Sequence, residues 1–389
     1  MRLTGLPTWV GTTLLLSAIT LSGAASAADP QTREPTAKDR LDQAFGTVTG
    51  DPTANADIDM KHVLDALADL KPKPFEELSP EEARKQPNAS DAVKHLLEED
   101  GKPSGPPPGV TAEHTTYEGA GGKVDARVYR PEGAKDKALP VILYFRGGGF
   151  VIADLDTYDA SARALAKMTN AIVVSADYRR APENKFPAAH DDALAAYKWV
   201  LANAADWGGD PKRIALAGES AGGNLAINTA IAARDQNLQA PVYQLLVYPV
   251  AGVDMNTPSY EENANAKPLN KAKMEWFFSH AGKSAEDKKD PRLDIVGKAK
   301  LAGLPPTTVI TAEIDPLRSE GQMLAAKLKD NGVAVKARDY KGVTHEFFGM
   351  GVVVKDAQIA EQDAADDLKA AFGGKREAAA PKSQEKSQE

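Results

Sequence analysis

Two periods of apolar residues alternate along most of the chain. Short apolar or alternating runs of strand length are separated by stretches with apolar residues at helical spacing, such as residues 187–203 and 221–234. Strands that alternate with helices are typical of a mainly parallel sheet covered by helices on both faces, so the pattern predicts an α/β fold. The predicted strands contain the segments KVDARVYR, PVILYF, AIVVSADY, RIALAGES, VYQLLVYPV, PTTVITAEID and VAVKARDY.

Two amphipathic helices are predicted before the first of these strands. Apolar residues recur at helical spacing over residues 60–70, and a second helix follows Ser90. The segment KPSGPPPG, residues 102–109, then interrupts the pattern with prolines and glycines. We therefore place a domain or subdomain boundary there. At the other end of the chain, the polar segment 374–389 is predicted to be disordered.

The first residues have the pattern of a targeting segment. A positive charge at Arg2 precedes an apolar core at residues 10–21, and the small residues ASA at 25–27 form a cleavage site. The apolar core is short for a membrane span. We therefore expect residues 1–27 to be a signal peptide and the mature protein to be exported, periplasmic or secreted, without a stable membrane span. An uncleaved N-terminal anchor is the alternative.

Composition narrows the function classes. The 389 residues carry a formal net charge of −8 at pH 7 and show no basic stripe, so we expect no nucleic-acid partner. The chain has no cysteine, which excludes disulfides, a thiolate nucleophile and cysteine metal sites. No cluster of His, Asp and Glu has metal-ligand spacing, and we expect neither a metal nor another cofactor. The sequence leaves open whether the protein is a monomer or a homodimer.

A serine in a glycine-rich motif is the first candidate for chemistry. The segment GESAG, residues 218–222, fits the pattern G-x-S-x-G, with a predicted strand before it and a predicted helix after it. A nucleophile elbow requires this context, because its sharp turn presents the serine at the end of a strand. Ser220 is therefore the predicted nucleophile.

A serine hydroxyl needs a general base and a third group that orients the base. Two histidines follow Ser220: His280 lies beside a helical stripe of aromatic residues, which favours a packing role, and His345 follows the last predicted strand. We predict that His345 is the base. Asp315 ends a predicted strand at the same edge of the sheet and is the predicted acid, with Glu313 as the alternative.

Three glycines after the strand PVILYF indicate a second part of the same site. Attack by a serine produces an oxyanion, which backbone N–H groups stabilise. Gly147, Gly148 and Gly149 have no Cβ atoms, so a ligand can approach their N–H groups closely. We expect an oxyanion hole that uses chiefly Gly148 and Gly149, together with the N–H group of Ala221. A flexible loop is the alternative.

Five motifs resemble those of the bacterial hormone-sensitive lipase family of α/β-hydrolase esterases. They are YFRGGGF, SADYRRAPENKFPAAHDD, GESAGGNLA, LPPTTVITAEIDPLRSEG and GVTHEFF, in that order and at similar spacing over about residues 110–372. The resemblance implies a triad of Ser220, Asp315 and His345. It also implies a serine carboxylesterase that hydrolyses short- to medium-chain esters through an acyl-enzyme, with a small-molecule ester as its substrate and no cofactor.

The resemblance further implies a domain organisation. Residues 28–105 would form an N-terminal helical cap, residues 106–373 an α/β-hydrolase catalytic domain, and residues 253–290 of that domain would contribute to the cap. The cap would shape the acyl pocket.

Two positions depart from the family's pattern. Arg146 stands where the family usually has a histidine, and Glu346 stands where it usually has a glycine. Arg146 could recruit an anionic group of the substrate, but we expect it to have a solvent-facing or carboxylate-paired structural role. The alternatives in function are an exported hydrolase that acts on a lactone, an amide or an acetylated carbohydrate, and a non-catalytic ligand-binding relative. The presence of His345 argues against the last.

Overall fold

A computed structural model describes residues 50–134 and 138–373 of the protein. The predicted signal peptide, residues 28–49 of the predicted cap and the polar tail 374–389 lie outside the described residues. The strands are β1 Val110–Gly119, β2 Gly122–Pro131, β3 Leu139–Phe145, β4 Ile172–Ala176, β5 Gly209–Glu219, β6 Tyr243–Val247, β7 Thr307–Ile314 and β8 Val335–Thr344.

These strands form a single sheet in the order β1-β2-β4-β3-β5-β6-β7-β8. Six neighbouring strands, from β4 to β8, run parallel to one another. The two strands β1 and β2 form an antiparallel hairpin at one edge, and β2 also pairs with β4 antiparallel. The prediction of a mainly parallel sheet is therefore confirmed.

The first strand, β1, was not predicted. Its sequence VTAEHTTYEG is mostly polar, and only Val110 and Tyr117 of its ten residues are buried. As an outer antiparallel strand it needs few apolar side chains, because most of its surface faces solvent. The other seven strands were predicted, since each contains a run of apolar or alternating residues.

Helices cover both faces of the sheet. The α-helices are α1 Ile58–Asp69, α2 Pro80–Ala83, α3 Ala89–Glu99, α4 Asp159–Thr169, α5 Ala188–Asn203, α6 Ala221–Asp235, α7 Pro258–Glu262, α8 Lys271–Ala281, α9 Ile295–Lys298, α10 Arg318–Asp330 and α11 Lys355–Ala371. Helices α5, α6 and α10 supply buried side chains to one face, and helices α1, α4 and α11 supply them to the other.

The central strand β3 shows why the apolar runs are continuous. Val141, Leu143 and Phe145 belong to the core on one face of the sheet, whereas Ile142 and Tyr144 belong to the core on the opposite face. Successive side chains of a strand point to opposite faces, so a strand buried on both sides has no polar alternation.

The parallel strands bring their carboxyl ends to one edge of the sheet. Ser220 follows β5, Asp315 follows β7 and His345 follows β8. The glycine loop at residues 147–149 follows β3, which is the neighbour of β5. Ligands of open α/β sheets bind at this edge.

Candidate active site

Ser220 lies in a strained turn between β5 and α6. Its backbone dihedrals are φ 56° and ψ −119°, a conformation that is rare for residues other than glycine. The turn is crowded: a Cβ atom on Gly222 would lie 2.0 Å from the carbonyl oxygen of Phe145. Glycine is therefore required there, and the turn presents the Ser220 hydroxyl at the end of the strand, as a nucleophile elbow does.

The structure brings together the three side chains of the predicted triad. The Oγ atom of Ser220 lies 3.0 Å from Nε2 of His345, and Nδ1 of His345 lies 2.7 Å from Oδ2 of Asp315. All three are buried, with 5%, 2% and 0% of Ser220, His345 and Asp315 exposed. The other carboxylate oxygen of Asp315 accepts a hydrogen bond from the Leu317 N–H at 2.8 Å, which fixes the carboxylate.

The alternative acid and base lie elsewhere. Glu313 accepts a hydrogen bond from the Gly342 N–H at 3.0 Å and pairs with Lys341 at 3.3 Å. His280 lies on α8, where its ring packs 4.5 Å from the Trp276 ring. Neither side chain is hydrogen-bonded to Ser220 in the described part of the chain.

The environment of His345 favours its protonated form. Burial alone would disfavour the imidazolium, but the charge and hydrogen bond of Asp315 outweigh this effect and raise the pKa of His345 above 6.5. Tyr248 packs against the imidazole with ring centroids 4.5 Å apart. The ring is thus held in place from two sides.

The glycine loop lies directly beside Ser220. Gly148 and Gly149 line the same cavity as Ser220, whereas the carbonyl oxygen of Gly147 accepts a hydrogen bond from Tyr178 Oη at 2.9 Å. Among the described residues, no acceptor pairs with the backbone N–H groups of Gly148, Gly149 or Ala221. These are the donors predicted for an oxyanion hole, and they are available to a ligand.

Gly149 is in the left-handed region, with φ 57°, and its surroundings leave no room for a side chain. A Cβ atom there would lie 2.3 Å from the ring of Phe277 on α8. The helix therefore packs directly on the glycine loop.

Arg146 is buried and does not line the cavity. It is 0% exposed, and its Nε atom donates to Asp177 Oδ1 at 2.8 Å. Its Nη1 atom donates to the carbonyl oxygens of Gly147 at 3.0 Å and Ile152 at 2.9 Å, and its guanidinium stacks on Tyr178 at 4.2 Å from the ring centroid. Arg146 is thus paired with a carboxylate and supports the glycine loop, and its side chain does not face solvent.

Two acidic side chains near Ser220, Glu346 and Glu219, make contacts that the sequence did not predict. Glu346 lines the cavity, and its two carboxylate oxygens share the single O–H donor of Tyr158, whose Oη lies 2.7 and 2.9 Å from them. Glu219 is fully buried and accepts hydrogen bonds from Tyr144 Oη at 2.6 Å and from Tyr248 Oη. Burial raises the pKa of Glu219 to about 7.

Glu219 occupies a variable position of the motif G-x-S-x-G, so the motif indicates no role for it. The signal that could have identified it is an acidic residue at the end of a strand that is otherwise buried. Lys273, which lines the cavity, was also missed. Its signal was a lysine one helical turn before the aromatic residues of α8.

A cavity of about 560 Å³ opens over Ser220 and His345. Both segments implied to form the cap contribute to its wall: residues 64–89 from the N-terminal side and residues 267–277 from the other. The two segments also touch each other, since the rings of Phe75 and Trp276 meet edge to face at 5.7 Å. The cavity therefore lies between the sheet edge on one side and these segments on the other.

None of the helices in the described residues 50–134 and 138–373 is long and apolar enough to cross a membrane. Within the same ranges, no group of three or more His, Asp or Glu side chains is arranged to hold a metal ion.

Comparisons with known proteins place this geometry in a family. A family model described as α/β hydrolase fold matches residues 142–349. Carboxylesterase NlhH of Mycobacterium tuberculosis is 42% identical over 237 residues, which are 60% of this chain and 74% of that protein. Ethyl acetate hydrolase of Pseudomonas putida is 34% identical over 287 residues, 73% of this chain and 88% of that protein.

Solved structures agree with these relatives. A thermostable esterase from Pseudomonas putida superposes with a TM-score of 0.74 at 32% identity, covering 82% of this chain and 98% of the other. An esterase from Pyrobaculum calidifontis gives a TM-score of 0.69 at 38% identity, covering 76% and 94% of the two chains. The resemblance inferred from the five motifs is therefore confirmed, and the chain belongs to the α/β-hydrolase fold family, on its hormone-sensitive-lipase-like branch.

Proposed function

We propose that the protein is a serine carboxylesterase that hydrolyses short- to medium-chain carboxylic esters through an acyl-enzyme on Ser220. The observation that carries the proposal is the hydrogen-bonded series from Ser220 through His345 to Asp315 at the floor of a cavity. The esterases and carboxylesterases among the relatives support the same reaction class.

The geometry supports the following steps. Ser220 Oγ attacks the ester carbonyl carbon while His345 Nε2 accepts the hydroxyl proton. The oxyanion of the tetrahedral intermediate accepts hydrogen bonds from the N–H groups of Gly148, Gly149 and Ala221. His345 then donates the proton to the leaving alkoxide oxygen, the carbon–oxygen bond breaks, and the alcohol departs.

Deacylation repeats these steps with water. His345 accepts a proton from a water molecule as the water oxygen attacks the acyl carbon, and then returns a proton to Ser220 Oγ as the acid leaves. Asp315 holds the imidazole in the tautomer with Nδ1–H and stabilises the imidazolium in both halves of the reaction.

The size of the cavity supports small substrates. Its volume of about 560 Å³ falls within the range of small-molecule sites. Leu64, Leu67 and Phe277 give parts of its wall an apolar surface that suits an acyl chain.

Hydrolysis of 4-nitrophenyl esters from acetate to palmitate tests the proposal. We expect the highest kcat/KM at short to medium chain length, and abolition of activity by a serine-directed phosphonate that labels the wild type but not Ser220→Ala. An inactive wild type, or a Ser220→Ala variant with full activity, would contradict the proposal.

The sequence also supports export. We propose that residues 1–27 are cleaved and that the mature protein is periplasmic or secreted, without nucleic-acid partners. N-terminal sequencing of protein from the periplasm and the medium checks this, because an intact Arg2 in the isolated protein would favour the uncleaved anchor. Light scattering of the same sample decides between a monomer and a homodimer.

A further inference from the structure

The cavity over Ser220 is more basic than the protein as a whole. Six lysine and arginine residues line it against three acidic residues, although the chain has a net charge of −8. Two of the six have carboxylate partners: Arg84 pairs with Glu183 at 2.7 Å and Lys267 pairs with Asp51 at 3.0 Å. The other four form no ion pair within 4.0 Å among the described residues; they are Lys71, Lys73, Arg180 and Lys273.

Lys273 is the best placed of these cations to meet a substrate. It lies on α8 one helical turn before Phe277, whose ring fills the space beside Gly149 of the glycine loop. Its Nζ atom lies 3.8 Å from the centroid of the Phe75 ring and 6.0 Å from that of Phe277. The ammonium thus contacts the Phe75 ring and lies one helical turn from Phe277, which packs against Gly149 of the predicted oxyanion hole.

The Lys273 ammonium has more N–H donors than it uses in hydrogen bonds to the described residues. An ammonium group has three N–H donors, and Lys273 directs one to the carbonyl oxygen of Pro268 at 3.3 Å. Glu346 lines the same cavity and forms no ion pair with Lys273 within 4.0 Å, but its charge and that of Glu76 act on the ammonium and partly offset the effect of burial on the pKa of Lys273. Burial lowers the pKa of Lys273 to about 8, so most of the group is charged at neutral pH.

A half-buried cation that forms no ion pair within 4.0 Å is costly unless nearby negative charge compensates it, and the charges of Glu346 and Glu76 do so only in part. We propose that Lys273 binds a carboxylate on the substrate, so that the enzyme favours esters that carry a carboxylate in addition to the scissile ester. A carboxylate suits a single ammonium because its one negative charge balances the one positive charge of the lysine. Lys273, rather than Arg146, would thus recruit an anionic group of the substrate. This inference rests on the proposed esterase function.

Matched pairs of esters test the inference at about pH 7. Methyl hexanoate and monomethyl adipate differ by a carboxylate on the acyl side, whereas phenyl acetate and 4-acetoxybenzoate differ by one on the alcohol side. The measured quantity is kcat/KM of the charged ester divided by that of its neutral partner, for the wild type and for Lys273→Met, Lys273→Gln and Lys273→Arg. Lys271→Met is the control, since Lys271 lies on the same helix outside the cavity wall.

We expect the ratio for at least one pair to fall about 10- to 100-fold in Lys273→Met and Lys273→Gln, the usual range for a hydrogen bond to a charged group. Lys273→Arg keeps the charge and should hold the ratio within about threefold of the wild type. Lys271→Met should leave both the ratio and the activity unchanged. The pair that responds identifies the side of the ester that carries the carboxylate.

The outcomes separate the two proposals. If Lys273→Met and Lys273→Gln lower both members of every pair equally, the lysine only stabilises the cavity wall and the inference is wrong, while the esterase function stands. A wild type that cleaves none of the four esters and no 4-nitrophenyl ester contradicts the esterase function itself.

Discussion

Ser220 can act as a nucleophile only as part of a hydrogen-bonded unit. Because the members act together, Ser220→Ala and His345→Ala should each lower kcat by about 10⁶-fold. Asp315→Asn should cost less or a similar amount, since it leaves His345 in place but favours the wrong tautomer. Steady-state kinetics on a neutral 4-nitrophenyl ester measures these losses.

Glu313→Gln is the matched control for the acid. Glu313 is bound to Gly342 and Lys341 rather than to His345, so this variant should keep kcat within a few-fold of the wild type. If Glu313→Gln proved the worse lesion, Asp315 would be the wrong assignment.

The pH dependence of activity follows from the pKa of His345. The base must be neutral to accept the proton of Ser220, and Asp315 raises the pKa of His345 above 6.5 in spite of burial. We therefore expect kcat/KM to rise with pH, with a midpoint above 6.5. Asp315→Asn removes the negative charge and should move the midpoint to lower pH. An unchanged midpoint in this variant would show that Asp315 does not set the pKa.

Residue types alone could not reveal every neighbour of Ser220. The positions of Ser220, Asp315 and His345 were predictable because each residue follows a predicted strand. The partners of Glu219 were not, since Tyr144 and Tyr248 are distant in sequence and meet it only after β3, β5 and β6 pair. The same holds for Arg146, whose partner Asp177 lies beyond the end of β4.

Among the elements, the N-terminal segment is joined to the loops after β3 and β4 by several hydrogen bonds of one side chain, Arg84. Arg84, at the end of α2, donates two hydrogen bonds of 2.7 Å to the carboxylate of Glu183. It also donates to the carbonyl oxygens of Val151 at 2.9 Å and Ala181 at 2.7 Å. Val151 closely follows the glycine loop, so Arg84 connects the cavity wall to the predicted oxyanion hole.

Loss of this connection should be measurable in stability and in substrate binding. Arg84→Met leaves two carbonyl oxygens and a carboxylate without their donor, and should cost about 1–3 kcal/mol in the free energy of unfolding. Glu183→Gln should cost less than about 1 kcal/mol, because the Glu183 side chain is 58% exposed. Denaturant unfolding measures both, and we also expect Arg84→Met to raise KM more than it lowers kcat.

Lys85→Met provides the control for this element. Lys85 is the next residue along the chain and pairs with Glu81 on the surface, so its loss should leave stability within about 0.5 kcal/mol. Equal effects of Arg84→Met and Lys85→Met would show that the bonds of Arg84 do not hold the segment in place.

For the whole molecule, the order of seven of the eight strands was predictable and the placement of the cavity wall was not. Buried parallel strands give continuous apolar runs, which the sequence shows directly. The contact between Phe75 and Trp276 joins segments that are about two hundred residues apart, and no local pattern encodes it. Likewise, the polar strand β1 is specified by its pairing with β2 rather than by its own apolar residues.

Buried acids make the stability of the whole molecule depend on pH. Burial raises the pKa of Glu219 and Glu361 to about 7 and that of Glu320 to about 8, from an ordinary value of 4.5. Between pH 4.5 and 8 the unfolded chain therefore releases protons that the folded protein retains, and stability falls as pH rises. His190, with a pKa lowered to about 4, has the opposite effect, but only up to pH 6.5.

The protein should thus lose stability between pH 6.5 and 8, and the substitution Glu320→Gln should reduce this loss. Glutamine keeps an acceptor for the N–H groups of Ala251 and Gly252, which Glu320 binds at 2.8 and 3.3 Å, but it has no proton to release. We expect this variant to lose about 1–2 kcal/mol less than the wild type between the two pH values. Denaturant unfolding at both pH values measures the difference.

Glu183→Gln is the control, since the pKa of Glu183 is lowered to about 2 and its titration lies below this window. Equal losses in the wild type and in Glu320→Gln would show that Glu320 is already ionised in the folded protein at pH 6.5.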